Sequence, residues 1–317
     1  MGGRGEPDGV LDLEVRQLRV ESENVLSVQL ADPQNRILPA WEPGAHIDLT
    51  LGGHIRQYSL CGDPADRRSY RVAVLRETLS RGGSSYVHEE LRPGHQVEVG
   101  GPRNHFSLLP AKEYVFIAGG IGVTPILPMI AEADRQGAPW RLVYGGRRRG
   151  SMAFLDELAA YGERVVIWPE KEYGLIDLLD VLGEAREDAA VYCCGPEALL
   201  AAVEQRCEDW PDGTLHTERF TAAARGDDPS DLRAFEVVVA SSGKSFRIPP
   251  GRSVLEVLDE AGIRVPSACT DGICGSCETG VLSGQPVHRD LILDSGNTDS
   301  MMLCVSRAQS DEIVLDL

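Results

Sequence analysis

The sequence predicts a multidomain chain of mixed α/β and β class: an antiparallel β-barrel, an open doubly wound α/β domain, and a small C-terminal domain built round a cysteine loop. Three observations predict it. Residues 10–110 hold short apolar runs separated by Gly/Pro turns. Residues 111–223 alternate strand with helix. Residues 233–317 contain Cys269-Thr-Asp-Gly-Ile-Cys274-Gly-Ser-Cys277, with Cys304 well downstream. Between the last two, the stretch Ala222–Asp231 is small, polar and Pro/Gly-containing, so residues 224–232 read as a linker.

In the first segment the strand candidates include Val25–Leu30, His46–Leu51, Arg56–Leu60, Tyr70–Leu75 and Gln96–Val99. Many short strands at such spacing close into a small barrel. Arg56-Gln57-Tyr58-Ser59-Leu60 alternates faces, which puts Arg56, Tyr58 and Leu60 on one side. A ring and a cation so placed can pack a flavin and neutralise its phosphate; the same run also suits an ordinary half-buried strand. Arg81-Gly82-Gly83-Ser84-Ser85 offers small residues whose N–H groups can cradle a phosphate, or form a plain Gly-rich turn.

The second segment opens on Tyr114–Ala118, a continuous apolar run expected of a parallel strand covered on both faces. The turn Gly119-Gly120-Ile121-Gly122-Val123-Thr124-Pro125 follows, ahead of a helix to Gln136. Thr124 is placed to cap that helix and Pro125 to take its first position. Its glycines admit a tight turn and the close approach of a pyrophosphate. Strand Trp140–Tyr144, helix Met152–Tyr161, strand Val165–Trp168, strand Ala190–Cys194 and helix Glu197–Cys207 complete the domain. Cys194-Gly195-Pro196 then falls at the carboxyl edge of the sheet, where open α/β domains bind ligands.

The third segment reads as a hairpin, Phe235–Ala240 and Ser245–Ile248, then a helix with a Ser253/Glu256 capping box ending at Gly262. The cysteine run after it has the C-x4-C-x2-C…C spacing of a plant-type [2Fe–2S] cluster. Three thiolates come from one curled loop, and the fourth, Cys304, is expected from a separate strand. Zinc favours paired C-x2-C knuckles, and one such pair is present. Cys269, Cys274, Cys277 and Cys304 are the expected metal ligands.

The chain has 317 residues, is 42% hydrophobic and carries a formal net charge of −18. That charge argues against nucleic acid and anionic membranes as partners. No run of apolar residues is long enough to span a bilayer. The remaining cysteines, Cys61, Cys193, Cys194 and Cys207, make a poor disulfide framework, so a cytoplasmic location is expected.

The succession Arg56–Leu60, Gly82–Ser85, Gly119–Pro125, Tyr144–Arg147, Cys194–Pro196 and Glu218-Arg219-Phe220, then the cysteine loop, resembles the phthalate dioxygenase reductase family. That family includes vanillate demethylase reductases and the reductase parts of self-sufficient cytochromes P450. The resemblance implies a flavin-binding barrel, a nucleotide-binding domain and a β-grasp ferredoxin domain, in that order. It implies FMN, held by Arg56, Gln57, Tyr58, Ser59, Val74 and Gly82, Gly83, Ser84 and Ser85. Thr124 and Phe220 would lie by the flavin. Gly119, Gly120, Gly122, Pro125, Arg147, Cys194, Gly195 and Pro196 would line the nicotinamide nucleotide.

Electrons are then expected to pass from NADH through FMN to the cluster, and on to a separate Rieske-type oxygenase or cytochrome P450. Ser59, Thr124 and Cys194 are the residues expected beside the reacting rings, with Cys194 orienting the nicotinamide and not attacking it. Arg147-Arg148-Arg149 lies where the adenosine ribose belongs and leaves NADPH open beside NADH. The alternatives are a cofactor-free electron carrier and a flavin enzyme reducing a small acceptor such as a quinone. The partner contact is expected to be transient and the chain a monomer.

Overall fold

The computed structural model describes residues 10–77, 82–220, 233–267, 269–273, 275–290, 292–293 and 296–317. It divides into two compact units, the first ending at Arg219 and the second beginning at Phe220. The expected linker at 224–232 lies outside the described residues, as do Arg81 and Cys274.

In the first unit, β1 (Leu11–Ser22), β2 (Val25–Ala31), β3 (Ala45–Leu51), β4 (His54–Ser59), β5 (Ser69–Leu75) and β6 (Gln96–Asn104) pair antiparallel in the order β4-β3-β6-β1-β2-β5. An antiparallel bridge between Leu60 and Val72 joins the two free ends, so the sheet closes on itself. Closure removes unpaired edges. Leu13, Val15, Val28, Leu30, Ile47, Leu49, Leu51, Val72 and Val99 fill the interior. Helix α1 (Gly83–Glu89) lies between β5 and β6.

The connector after β6 is pinned to the next sheet by two buried tyrosines. Tyr192 Oη accepts from the Leu109 N–H at 2.7 Å and donates to the Ser107 carbonyl at 3.1 Å. Tyr114 Oη accepts from Ala111 and donates to Leu109, both at 3.0 Å.

Strands β7 (Glu113–Gly119), β8 (Trp140–Gly146), β9 (Val165–Pro169), β10 (Ala189–Cys194) and β11 (Leu215–Glu218) are all parallel, in the order β11-β10-β7-β8-β9. Helices α2 (Val123–Gln136), α3 (Leu155–Ala159), α4 (Glu170–Tyr173), α5 (Leu178–Leu182) and α6 (Glu197–Arg206) connect them. Tyr114, Phe116, Ala118, Tyr192 and Cys194 face α2 and α3, in a core that also takes in Val25, Cys61, Ala73 and Phe106 of the barrel region. Val115, Ile117, Val191 and Cys193 face the opposite core, with Val181, Leu200 and Val203. Both faces are covered, which is why β7 reads as a continuous apolar run.

Two expectations are corrected here. Residues Gly120–Gly122 coil into a 3-10 turn, so α2 begins at Val123 with Gly122 at its cap. Thr124 therefore sits inside the helix, its hydroxyl donating to the Ile121 carbonyl at 3.0 Å, and Pro125 is one residue further in. The helix expected over Met152–Tyr161 shrinks to Leu155–Ala159, because Phe154 adopts a left-handed φ of 62° at its start.

In the second unit, β12 (Phe235–Val239), β13 (Lys244–Ile248), β14 (Glu278–Ser283), β16 (Ser300–Met302) and β18 (Glu312–Leu315) form a mixed sheet in the order β13-β12-β18-β14-β16. β12 and β18 are parallel, and β15 (Pro286–Val287) pairs separately with β17 (Arg307–Ala308). Helix α7 (Val254–Glu260) buries Val254 and Leu258 in the core of this unit, the β-grasp arrangement. Its capping box is complete: the Glu256 N–H donates to Ser253 Oγ and the Ser253 N–H to Glu256 Oε2, both at 3.1 Å. Among the described residues no helix is long and apolar enough to cross a membrane.

Candidate redox site

The barrel site is built on β4. Tyr58 lies opposite Ile47 and Arg56 opposite Leu49, so both share a face of the sheet; Gln57 and Ser59, opposite Asp48 and His46, share the other. The Arg56 stem lies where a side chain on Gly83 would be, which brings its guanidinium to the start of α1. Burial, offset by Arg56, pushes the Tyr58 phenol up to about 12, so it stays neutral. Gln57 Nε2 is buried with no hydrogen-bond partner among the described residues, the sort of orphan donor that a carbonyl-bearing ring satisfies. Ser84 Oγ accepts from the Glu77 N–H at 3.3 Å, and Ser85 Oγ donates to the Gly82 carbonyl at 2.9 Å. The Val74 side chain is packed in the barrel core, and its carbonyl meets the His88 ring at 3.0 Å.

The crevice site is built almost wholly from backbone. The order β11-β10-β7-β8-β9 reverses direction between β7 and β10, and ligands of such sheets sit outside the strand ends at that switch point. The turn after β7 and the turn after β10 touch there. A Cβ on Gly122 would fall on the Cys194 carbonyl, and one on Gly119 would lie 2.6 Å from Pro196 Cδ. Only glycine permits that approach. Gly120 is half-buried at a φ of 55° in the same turn, Gly195 is half-buried and Pro196 is exposed. Cys194 is fully buried as the last residue of β10, on the side that shares its core with the barrel residues. Burial, and next the Glu218 carboxyl, hold its thiol well above the ordinary cysteine range. It is a neutral thiol that can orient a ligand, and poorly suited to nucleophilic attack.

Glu218, a residue given no role by sequence reasoning, ends β11 directly beside Cys194. Its Oε2 is buried without a partner among the described residues, and burial pushes the carboxyl up to about 8. The rule that placed Cys194 at the carboxyl edge of the sheet places the last residue of the neighbouring strand there too. Arg219, next along, is tied to α6 through Glu204 at 2.7 Å and Glu197 at 3.1 Å. Phe220 follows, 37% exposed. Arg147 is exposed just past β8, and its carbonyl accepts the Lys171 N–H at 3.1 Å.

In the second unit Cys304 does not come from a strand: it stands in the turn after β16. Its sulfur interacts with those of Cys269 and Cys277, so three sulfurs converge. The Asp271 N–H donates to Cys269 Sγ at 3.3 Å. Gly272 sits at a φ of 75° with Val305 and Asp290 against it, leaving no room for a side chain. Among the described residues no complete ligand set is closed; Cys274 lies outside them. All-sulfur donors, one of them already accepting a backbone N–H, suit an iron–sulfur cluster.

Comparison with known proteins agrees with this arrangement. Residues 237–309 match the model of the 2Fe-2S iron-sulfur cluster binding domain. The chain is 41% identical over 315 residues to phenoxybenzoate dioxygenase subunit beta of Ectopseudomonas oleovorans, covering 97% of each. It superposes with a TM-score of 0.75 on a solved phthalate dioxygenase reductase, described as a modular structure for electron transfer from pyridine nucleotides to [2Fe-2S]. Identity there is 39%, and 98% of both chains is covered. It also matches an intact type IV self-sufficient cytochrome P450 monooxygenase, at 43% identity and a TM-score of 0.89 over 97% of this chain. Of that longer protein it spans 41% of the length. Full-length similarity of this order means that the chain belongs to the phthalate dioxygenase reductase family.

Proposed function

We propose that this chain is an oxygenase reductase: it takes electrons from NADH through FMN to a [2Fe–2S] cluster and delivers them to a separate Rieske-type oxygenase or cytochrome P450. The observation that carries the proposal is the union in one chain of two sites. One is a switch-point crevice whose neutral thiol shares a core with the barrel; the other is a converging set of cysteines. When bound, the flavin accepts a hydride's two electrons together and releases them singly, which is what a one-electron cluster requires.

The protein's part is to bind, orient and exclude water. Arg56 meets the flavin phosphate at the Gly82–Ser85 turn, while Tyr58, Gln57, Ser59 and Val74 contact the ring system. Thr124 lies beside the ring, with its own proton already committed to the Ile121 carbonyl. Gly119, Gly120, Gly122 and Pro125 admit the nucleotide, and Cys194, Gly195 and Pro196 seat its nicotinamide. The Glu218 carboxyl, raised by burial and ending the strand beside Cys194, is a donor to the same crevice when protonated, one that ionisation would remove. Phe220, directly after Arg219 in the chain, is the flavin neighbour that the family resemblance implies. Cys269, Cys274, Cys277 and Cys304 hold the cluster.

Cys61, Cys193, Cys194 and Cys207, outside the ligand set, form no disulfide among the described residues, which fits a reducing, cytoplasmic setting. A net charge of −18 suits a transient partner that offers a basic patch to a monomeric reductase.

The test is an anaerobic titration with NADH and then NADPH, followed by visible absorbance and low-temperature EPR. Bleached flavin with a rhombic [2Fe–2S] signal is the expected result. Flavin bleaching with a silent cluster would overturn the relay and favour direct reduction of a small acceptor such as a quinone.

A further inference from the structure

Doubly wound sheets usually discriminate NADH from NADPH with an acidic residue near the end of the second strand, which accepts a hydrogen bond from the ribose 2′-hydroxyl and repels a 2′-phosphate. Here the second strand is β8, and from Gly145 to Leu155 there is no Asp or Glu at all. Three arginines stand there instead. A carboxylate nevertheless reaches this loop from elsewhere. Glu23, in the tight turn between β1 and β2, forms an ion pair with Arg148. The turn is fastened to the loop by two more bonds: the Glu23 N–H donates to the Gly150 carbonyl at 3.2 Å, and Ser22 Oγ donates to the Ser151 carbonyl at 3.3 Å. Gly150 is tightly placed against the same carboxylate, since a Cβ there would lie 2.5 Å from Glu23 Oε1. Glu23 and Arg148 keep 43% and 53% of their side-chain surface exposed, so a nucleotide can reach both. Arg147 and Arg149 have no ion pair among the described residues.

We propose that Glu23 is the specificity-determining residue for the nucleotide, supplying from the barrel hairpin the acidic group that the β8 loop lacks. It neutralises Arg148 and sets a negative charge where a 2′-phosphate would arrive. It also offers an acceptor to a 2′-hydroxyl. Arg147 remains as a cation that lends NADPH residual binding, so NADH is preferred but NADPH is not excluded. The inference rests on the reductase reading.

The experiment titrates the FMN- and cluster-loaded protein with NAD+ and NADP+, following the flavin difference spectrum, for wild type, Glu23→Gln and Glu23→Gln/Arg148→Ala. Rates of flavin reduction by NADH and NADPH are measured alongside. Glu23→Gln should shift the ratio of the two dissociation constants toward NADP+ by on the order of tenfold, as a half-exposed charge allows. NAD+ should weaken a few-fold in the same variant, so the two affinities move in opposite directions. Adding Arg148→Ala should cancel most of the NADP+ gain. Gly150→Ala, which displaces the carboxylate without changing charge, should move the ratio the same way by a smaller factor. Equal changes for both nucleotides, or none, would reduce the Glu23–Arg148 pair to a brace and overturn the proposal. If the wild type binds neither nucleotide, the reductase reading falls, and this inference with it.

Discussion

Cys194 and Cys304 are both buried cysteines, and what faces them differs. Burial at a strand end, and next the neighbouring Glu218, hold the Cys194 thiol well above the ordinary range. Cys304 faces the sulfurs of Cys269 and Cys277. The crevice is a place where backbone meets backbone and one thiol is kept neutral. The cysteine loop is a place where side chains meet, and their sulfur is meant for metal. A cysteine's chemistry is thus fixed by what faces it: a closed apolar sheet yields an orienting group, a loop of other thiols yields a ligand set.

That contrast can be broken most directly at the metal end. Cys304→Ser should lower NADH-driven cytochrome c reduction by at least roughly 100-fold, since a missing thiolate disrupts the cluster. Bleaching of the flavin by NADH should change by less than about threefold, because the crevice lies in the other unit. Cytochrome c reduction at the wild-type rate would falsify the proposed electron route.

The next effect is at the backbone contact. Gly122→Ala should destabilise the first unit by about 1–3 kcal/mol, as overpacking does, because the Cys194 carbonyl cannot move without distorting β10. Nucleotide affinity should fall by about tenfold or more with it. Thermal melts and the flavin difference spectrum measure the two. Gly272→Ala is the counterpart in the second unit, where a positive φ adds strain and the loss should appear in cluster content.

Glu218 sharpens the comparison through pH. Its folded value of about 8 stands above the ordinary 4.5, so the folded chain keeps a proton that the unfolded chain releases between those values. Stability from this group is complete below about pH 4.5 and is lost as the pH rises to 8. Denaturant unfolding between pH 5.5 and 8 should show a drop of about 1–3 kcal/mol from this source. Glu218→Gln should remove it; an unchanged pH slope in that variant would mean that the carboxyl is solvated. The smallest effect belongs to the exposed end of α7: Ser253→Ala should cost the second unit about 1 kcal/mol and leave the first unit's melt unmoved.

The features legible from sequence were those with local causes. The apolar run of β7, the Ser253/Glu256 box and the Cys269–Cys277 spacing each announce themselves within ten residues. What escaped was decided at a distance. Thr124 lost its capping place because the glycine turn coils once before the helix starts. The helix before Tyr161 was shortened by the left-handed Phe154, which local propensity does not foretell. β1, the longest strand, was missed because its outer face carries exposed residues such as Val20, so the alternation is imperfect. Glu218 looked like one more acidic residue until its neighbouring strand was known.

The core shared by Val25, Cys61, Ala73 and Phe106 with Phe116, Tyr144 and Phe154 also bears on how such a chain can be cut and rejoined. A chimera joined near residue 110 would tear one apolar interior in two and leave both halves prone to aggregate. A junction just past Arg219 severs no such core among the described residues, since those of the C-terminal interior all come from the second unit. Exchange of electron-delivery modules between reductases should therefore succeed at the second junction and fail at the first.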